Sequence, residues 1–240
     1  GKSLLRLASS LVKKQKENVN ITAMHLVLSD EMHANNMEEY ETDSFLPIIN
    51  ESKILDQQIT TVFKATVDVE TDIVEIANQG EYDLLLVGLG KSIFEGTLLG
   101  KVLGFTTRII NPDRLIDKFT GKEGLFENSP FDERTRQIIS KTKMPLGILI
   151  NKDLQTVNQV FIPIFSAEDG FLLDYAQKLI YNNDSKIVVL DCNDQIKNNF
   201  IIKNAVDSLE NNYPSNMSLL TNKVIEKDKE EEVKFSVDPE

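Results

Sequence analysis

Residues 82–104 read YDLLLVGLGKSIFEGTLLGKVLG, and their reading decides the fold. Leu84, Leu85, Leu86 and Val87 form an unbroken apolar run of strand length that stops at Gly88 and Gly90. A strand covered on both faces needs no polar alternation, so the run reads as the central, buried strand of a parallel sheet. Two glycines after it allow a sharp turn and a close approach of a ligand to the main chain. Gly100-Lys101 then opens a short apolar segment that reads as a helix start, where unpaired N–H groups favour an anion. Open α/β sheets place phosphate cradles at such strand ends. Gly88, Leu89, Gly90, Gly100 and Lys101 are therefore the candidate ligand-binding residues. A plain tight turn between two elements accounts for the same glycines. The P-loop pattern is absent: residues 96–102 are one residue short of it, and Val102 follows the lysine where Ser or Thr is required.

Outward from this stretch the same grammar repeats. Upstream, Leu4, Leu5, Leu7, Ala8, Leu11 and Val12 fall at helical spacing. Residues 20–28 read as a strand, and residues 32–51 as an acidic surface segment running into a helix. Residues 59–66, ITTVFKAT, are β-branched enough for a further strand. A helix is expected over 69–77, with Asp68 as its N-cap and Gly80 at its end. Downstream, residues 108–130 carry Asn-Pro, Thr-Gly-Lys and Ser-Pro turn signals and read as an excursion. Residues 131–143 return to helical spacing, and 145–150 read as a buried strand.

A second unit follows. Strands are expected over 159–165, 186–191 and 217–220, with helices between them carrying Leu172, Leu173, Ala176, Leu179 and Ile180, and then residues 196–209. Residues 227–232 are a charge run of the kind that is normally solvated. Strand-helix alternation of this kind predicts α/β architecture with open, mostly parallel sheets flanked by helices. Two units are expected, 1–153 and 158–240, the second with few strands for a complete sheet.

Composition limits the partners. The chain has 240 residues, enough for one large domain or two small ones, and a net charge of −12. That charge opposes nucleic acid and anionic lipid. Cys192 is the single cysteine, so no intramolecular disulfide forms. No apolar run approaches the roughly 20 residues that span a bilayer. His25 and His33 lack the further ligands, at fixed spacing, that a metal site needs.

The stretch resembles the universal stress proteins, whose fourth strand ends in Gly-x2-Gly-x9-Gly-Ser/Thr holding the phosphates of ATP. Gly90-x9-Gly100 reproduces the long spacing, Gly88 sits one residue too close, and Lys101 stands in place of the hydroxyl residue. The resemblance implies two units of the adenine nucleotide alpha hydrolase-like fold, the first lacking its opening strand and carrying an insertion at about 105–130. A lysine meets phosphate as a point charge but does not replace the hydroxyl contact. In the second unit Phe165 stands where the family has a nucleotide-contacting Asp. Two such units in tandem resemble the C-terminal region of bacterial and plant monovalent cation:proton (Na+/H+) antiporters, on residues 20–30, 82–90, 144–153 and 161–174. That likeness implies a transmembrane antiporter domain upstream in the same polypeptide, a place on the cytoplasmic side of the inner membrane, and a homodimer.

Catalysis lacks a signature: there is no Gly-x-Ser-x-Gly elbow and no Ser-His-Asp ordering. Glu168-Asp169, just after a strand, reads either as a site or as a polar turn capping the next helix. Two function classes follow. One is a regulatory module of an antiporter, working by ligand binding or subunit association. The other is a free-standing tandem universal stress protein that binds ATP or another adenine nucleotide.

Overall fold

The computed structural model describes residues 1–14, 19–31, 37–89, 107–110, 133–150 and 153–221. They form an α/β architecture of short, mostly parallel sheets flanked by helices. Chain contacts divide it into one unit of Gly1–Ser9 with Lys16–Gln155 and another of Ser10–Gln15 with Thr156–Glu240.

Helix α1 (Lys2–Val12), which belongs to the first unit as far as Ser9 and to the second from Ser10 on, precedes strand β1 (Ile21–Leu28) of the first unit. Helix α2 (Met37–Ile54) leads to β2 (Ile59–Thr66). The two strands pair in parallel along their whole length, from Ile21 opposite Ile59 to Leu28 opposite Thr66. His25 lies on β1 opposite Phe63; their rings stack at 5.9 Å, and Phe45 of α2 meets the imidazole edge-on. This is aromatic packing around a histidine, and His33 lies outside the described residues. Arg6 of α1 donates through Nε to Glu51 Oε1 of α2 at 2.6 Å, and through Nη1 to the Leu154 carbonyl at 3.0 Å.

Helix α3 (Val69–Gln79) forms as its sequence signals require. The Asp68 carboxylate accepts the Thr71 N–H at 3.0 Å and the Thr71 hydroxyl at 2.7 Å. At the other end Gly80 donates back to the Ile76 carbonyl. The apolar stripe of α3 packs Val74 and Ile73 against Ile138 and Ile139 of α4 (Glu133–Lys141), over Leu146 and Ile148 of β5 (Leu146–Ile150).

The second sheet of this unit corrects the sequence reading in three places. Its order is β3 (Leu85–Leu89), β5, β4 (Thr107–Ile110), so the central strand is β5, all five residues of which are buried. The opening stretch supplies β3 (Leu85–Leu89), whose described side chains are half-buried or exposed. Gly88 and Leu89 do not form a turn after the strand. Both belong to β3, opposite Leu149 and Ile150 in a parallel ladder. Gly88 has ordinary extended backbone, and a Cβ there would meet Leu4 Cδ1 at 3.4 Å, a normal contact. Nothing local demands glycine. Third, residues 107–110, read as part of an excursion, form β4 (Thr107–Ile110), antiparallel to β5.

The second unit carries β6 (Gln159–Ile164), β7 (Lys186–Asp191) and β8 (Met217–Thr221), parallel and in chain order. Right-handed crossovers between strands in sequential order put both connecting helices on one face. That face buries Ile162, Ile164, Ile187, Val189 and Met217 beneath α5 (Leu172–Asn183) and the last helix. Pro163 sits on β6, an edge strand, where a missing N–H is tolerated. The single helix expected over 196–209 is two: α6 (Gln195–Asn198) and α7 (Phe200–Asn212). Asn199 divides them, because its side chain accepts the Ile201 and Ile202 N–H groups and caps α7. Asn182 of α5, 2% exposed, accepts the Lys14 N–H and donates to the carbonyls of Leu11 and Lys178.

Candidate functional site

Ligands of open parallel sheets bind beyond the carboxyl ends of the strands. At the end of β3 stand Gly88 and Leu89, as strand residues. Gly90, Gly100 and Lys101, the rest of the candidate ligand set, lie outside the described residues. The described residues thus place two of the five at one strand end.

The carboxyl end of the β1–β2 pair is tied to itself. The Ser29 hydroxyl donates to the Thr66 carbonyl at 3.1 Å, and the Asp68 N–H donates to Thr66 Oγ1 at 3.0 Å. Lys64 meets Asp72 at 2.9 Å. The Thr66 hydroxyl and then Lys64 hold the Asp72 carboxyl below its usual range. Glu51 is likewise lowered, first by its hydrogen bond from Arg6. A carboxylate lowered by folding adds stability that is complete above its unfolded value and is lost as pH falls through the folded one. The expected result is a melting temperature that holds down to the ordinary carboxyl values, 4.5 for Glu and 3.8 for Asp, and drops below them. Thermal melts from about pH 3 to about pH 7 check it. Glu51→Gln should flatten the acid limb, and an unchanged limb would exclude Glu51 as its source.

In the second unit the end of β6 runs through Phe165 and Ser166 into a 3-10 turn, Ala167–Phe171. The Asp169 carboxylate accepts the Phe165 N–H at 2.9 Å and the Ser166 N–H at 3.0 Å. Of the two readings of Glu168-Asp169, the capping turn is what Asp169 builds. Asp169→Ala is expected to cost on the order of 1 kcal/mol, the usual value of such a cap. Chemical denaturation measures it, and a cost near zero would leave the turn held by other contacts.

At the end of β7, Asp191 is 4% exposed and its Oδ1 accepts the Ile196 N–H at 3.1 Å. Sequence reading had not singled this residue out; an Asp closing an apolar strand just before a turn was the available signal. Cys192 follows, half-buried and free. Burial pushes its thiol up, and the carboxylates of Asp191 and Asp169 push it further. That direction disfavours the thiolate, the nucleophilic form. Asp194 starts α6 with a left-handed φ of 54°.

This edge is acidic, and Asp169 and Asp191 already serve backbone N–H groups. A phosphate there meets like charge. Among the described residues no group of three or more His, Cys, Asp or Glu side chains is placed to hold a metal ion, and no helix is long and apolar enough to cross a membrane.

Neither protein-family models nor curated proteins give a match to this chain. Among solved structures it is similar to a universal stress protein from Archaeoglobus fulgidus DSM 4304, at 12% identity and a TM-score of 0.48, over 92% of this chain and 71% of that one. The fold assignment stands on the sheets and helices described above.

Proposed function

We propose that the chain is a regulatory module of a cation:proton antiporter. In this reading it works by association or by binding a small ligand, not by catalysis. It sits on the cytoplasmic side of the inner membrane, joined to the transmembrane portion of the same polypeptide, and it pairs as a homodimer. The antiporter context rests on the pattern of two α/β units in tandem with residues 105–130 intervening before the last strand of the first. The observation that carries the non-catalytic reading is the carboxyl edge of the second unit. There Asp169 and Asp191 are spent on capping backbone N–H groups, and burial with the nearby carboxylates pushes the Cys192 thiol up.

The test is transport. Cation:proton exchange is measured in membrane vesicles for the transporter polypeptide with and without these residues. Altered ion dependence or rate at unchanged transporter abundance is the expected outcome. Identical exchange, or a reading frame with no membrane-spanning helices, would sink the proposal.

The same reading sets nucleotide affinity low. Lys101 in place of Ser or Thr removes one charge-assisted hydrogen bond to phosphate, worth roughly 1.5–3 kcal/mol, or about tenfold to a hundredfold in affinity. ATP is expected to bind in the high-micromolar range or weaker by isothermal titration. Low-micromolar binding would favour the free-standing nucleotide binder instead.

A further inference from the structure

The sheet of the second unit has two unlike faces. One buries Ile162, Ile164, Ile187, Val189 and Met217 beneath its helices. Side chains alternate along a strand, so every second residue of β6, β7 and β8 points the other way. The register gathers these on one surface: Phe161 stands beside Val188, Pro163 beside Leu190, and Leu190 beside Leu220, with Phe165 prolonging the β6 row. Phe161 is 47% and Phe165 53% exposed, and the other four are half-buried. All-parallel sheets are covered on both faces, and both connecting helices of this one lie on the opposite side. Six apolar neighbours left in contact with water mark a surface that another segment covers.

Area and charge select the occupant. The surface is about 10 Å wide, two inter-strand spacings, and about 13 Å long, four residue steps of β6. Two copies stacked on it would bury on the order of 500 Å² in all, well under the roughly 1,200 Å² at which stable interfaces begin. A separate partner gains too little here. A tethered segment starts from an effective concentration of roughly millimolar scale and needs far less area. Such a segment leaves this sheet directly. Residues 222–240 follow β8 and lie outside the described residues. In their sequence Val233, Phe235 and Val237 alternate with Lys234 and Ser236, the period of a strand with one apolar face. The connection 222–232 reaches roughly 36 Å when extended, several times the width of the sheet. Among the described strand residues of this face there is no carboxylate, and Lys186 is the charged one. The connection brings Glu226, Asp228, Glu230, Glu231 and Glu232 to it.

We propose that residues 233–237 of this chain dock on the open face of the second unit's sheet. Val233, Phe235 and Val237 cover Phe161, Phe165 and Leu190, and the acidic connection passes Lys186. The inference does not rest on the transporter reading: surface and occupant are both residues of this chain.

The chain has no tryptophan, so Phe235→Trp places a single reporter in the segment. In the whole chain its emission should be blue-shifted, and its quenching by acrylamide several-fold weaker, relative to a peptide of residues 222–240 with the same substitution. Adding Phe161→Ser with Phe165→Ser should return both readings to the peptide values. The far-UV circular dichroism should not change, since both side chains already stand about half in water. Val233→Ser with Val237→Ser, which alters no described residue, should do the same and decides the matter if the first pair disturbs the sheet. None of these readings should depend on protein concentration, because the segment and the face share one chain. Peptide-like emission in the Phe235→Trp chain would overturn the proposal, as would a blue shift that survives the Val233→Ser, Val237→Ser pair. A blue shift that grows with protein concentration would overturn it too, since the occupant would then come from a second copy.

Discussion

Ile148→Ala is expected to destabilise the first unit by on the order of 3–4 kcal/mol, the range for removing a large aliphatic side chain from a packed core. Ile148 is 1% exposed in the middle of β5, with β3 on one side and β4 on the other. It packs with Val74, Ile138, Ile139 and Leu146. Deleting its branch leaves a cavity that strands fixed on both edges do not close. Val87→Ala, on the neighbouring β3, is expected to cost on the order of 1 kcal/mol, because that side chain is only partly buried and loses less on truncation. Hydrogen exchange of the β5 amides under increasing urea reads both changes within this unit. Equal costs at the two positions would mean that Val87 is packed as tightly as Ile148.

The runs at 84–87 and 146–150 look alike as apolar strands, and composition carries no record of which strand has two neighbours. The order β3-β5-β4 depends on β4, four residues followed at once by Asn111-Pro112, and a turn signal so close hides a short strand. Gly88 misled for a similar reason. Glycine is the residue of turns, yet here ladder pairing with Leu149 carries the extended backbone through it. Where the signal is local chemistry, the reading held: Asp68 and Gly80 bound α3 as cap and terminator. Asn199 offered the same capping signal before Phe200, Ile201 and Ile202, but the apolar periodicity across 196–209 masked it. At the candidate site, Asp169 was legible as a cap, since Ser and Asp at that spacing make polar turns. The buried role of Asp191 was not, because it depends on the N–H of Ile196 arriving from the following helix.

Asn182→Ala is the second substitution with a large expected effect. No periodicity exposes this residue's importance: it falls near the end of α5, where a polar side chain is usually solvated. In the structure it is buried, and it is spent on three backbone groups. Its amide donates to the carbonyls of Leu11 at 2.6 Å and Lys178 at 2.9 Å, and its oxygen accepts the Lys14 N–H at 2.9 Å. Two of those groups belong to the last turn of α1 and the residues after it, where a helix leaves carbonyls without partners. Alanine removes all three bonds, leaving the Leu11 carbonyl without its partner in a buried site and the part-buried Lys14 N–H without its acceptor. Each unsatisfied buried group costs about 1–3 kcal/mol, so a total on the order of 2–4 kcal/mol is expected once partial relaxation is allowed for. Asn182→Asp separates the two halves of the contact: it keeps an acceptor for Lys14 and loses both donors. It should be at least as damaging as alanine, because it also buries a charge facing two carbonyl oxygens. Urea denaturation of the three proteins measures the order. If Asn182→Asp is as stable as the parent, the donated bonds to Leu11 and Lys178 hold nothing, and the last turn of α1 is fixed by apolar contacts alone.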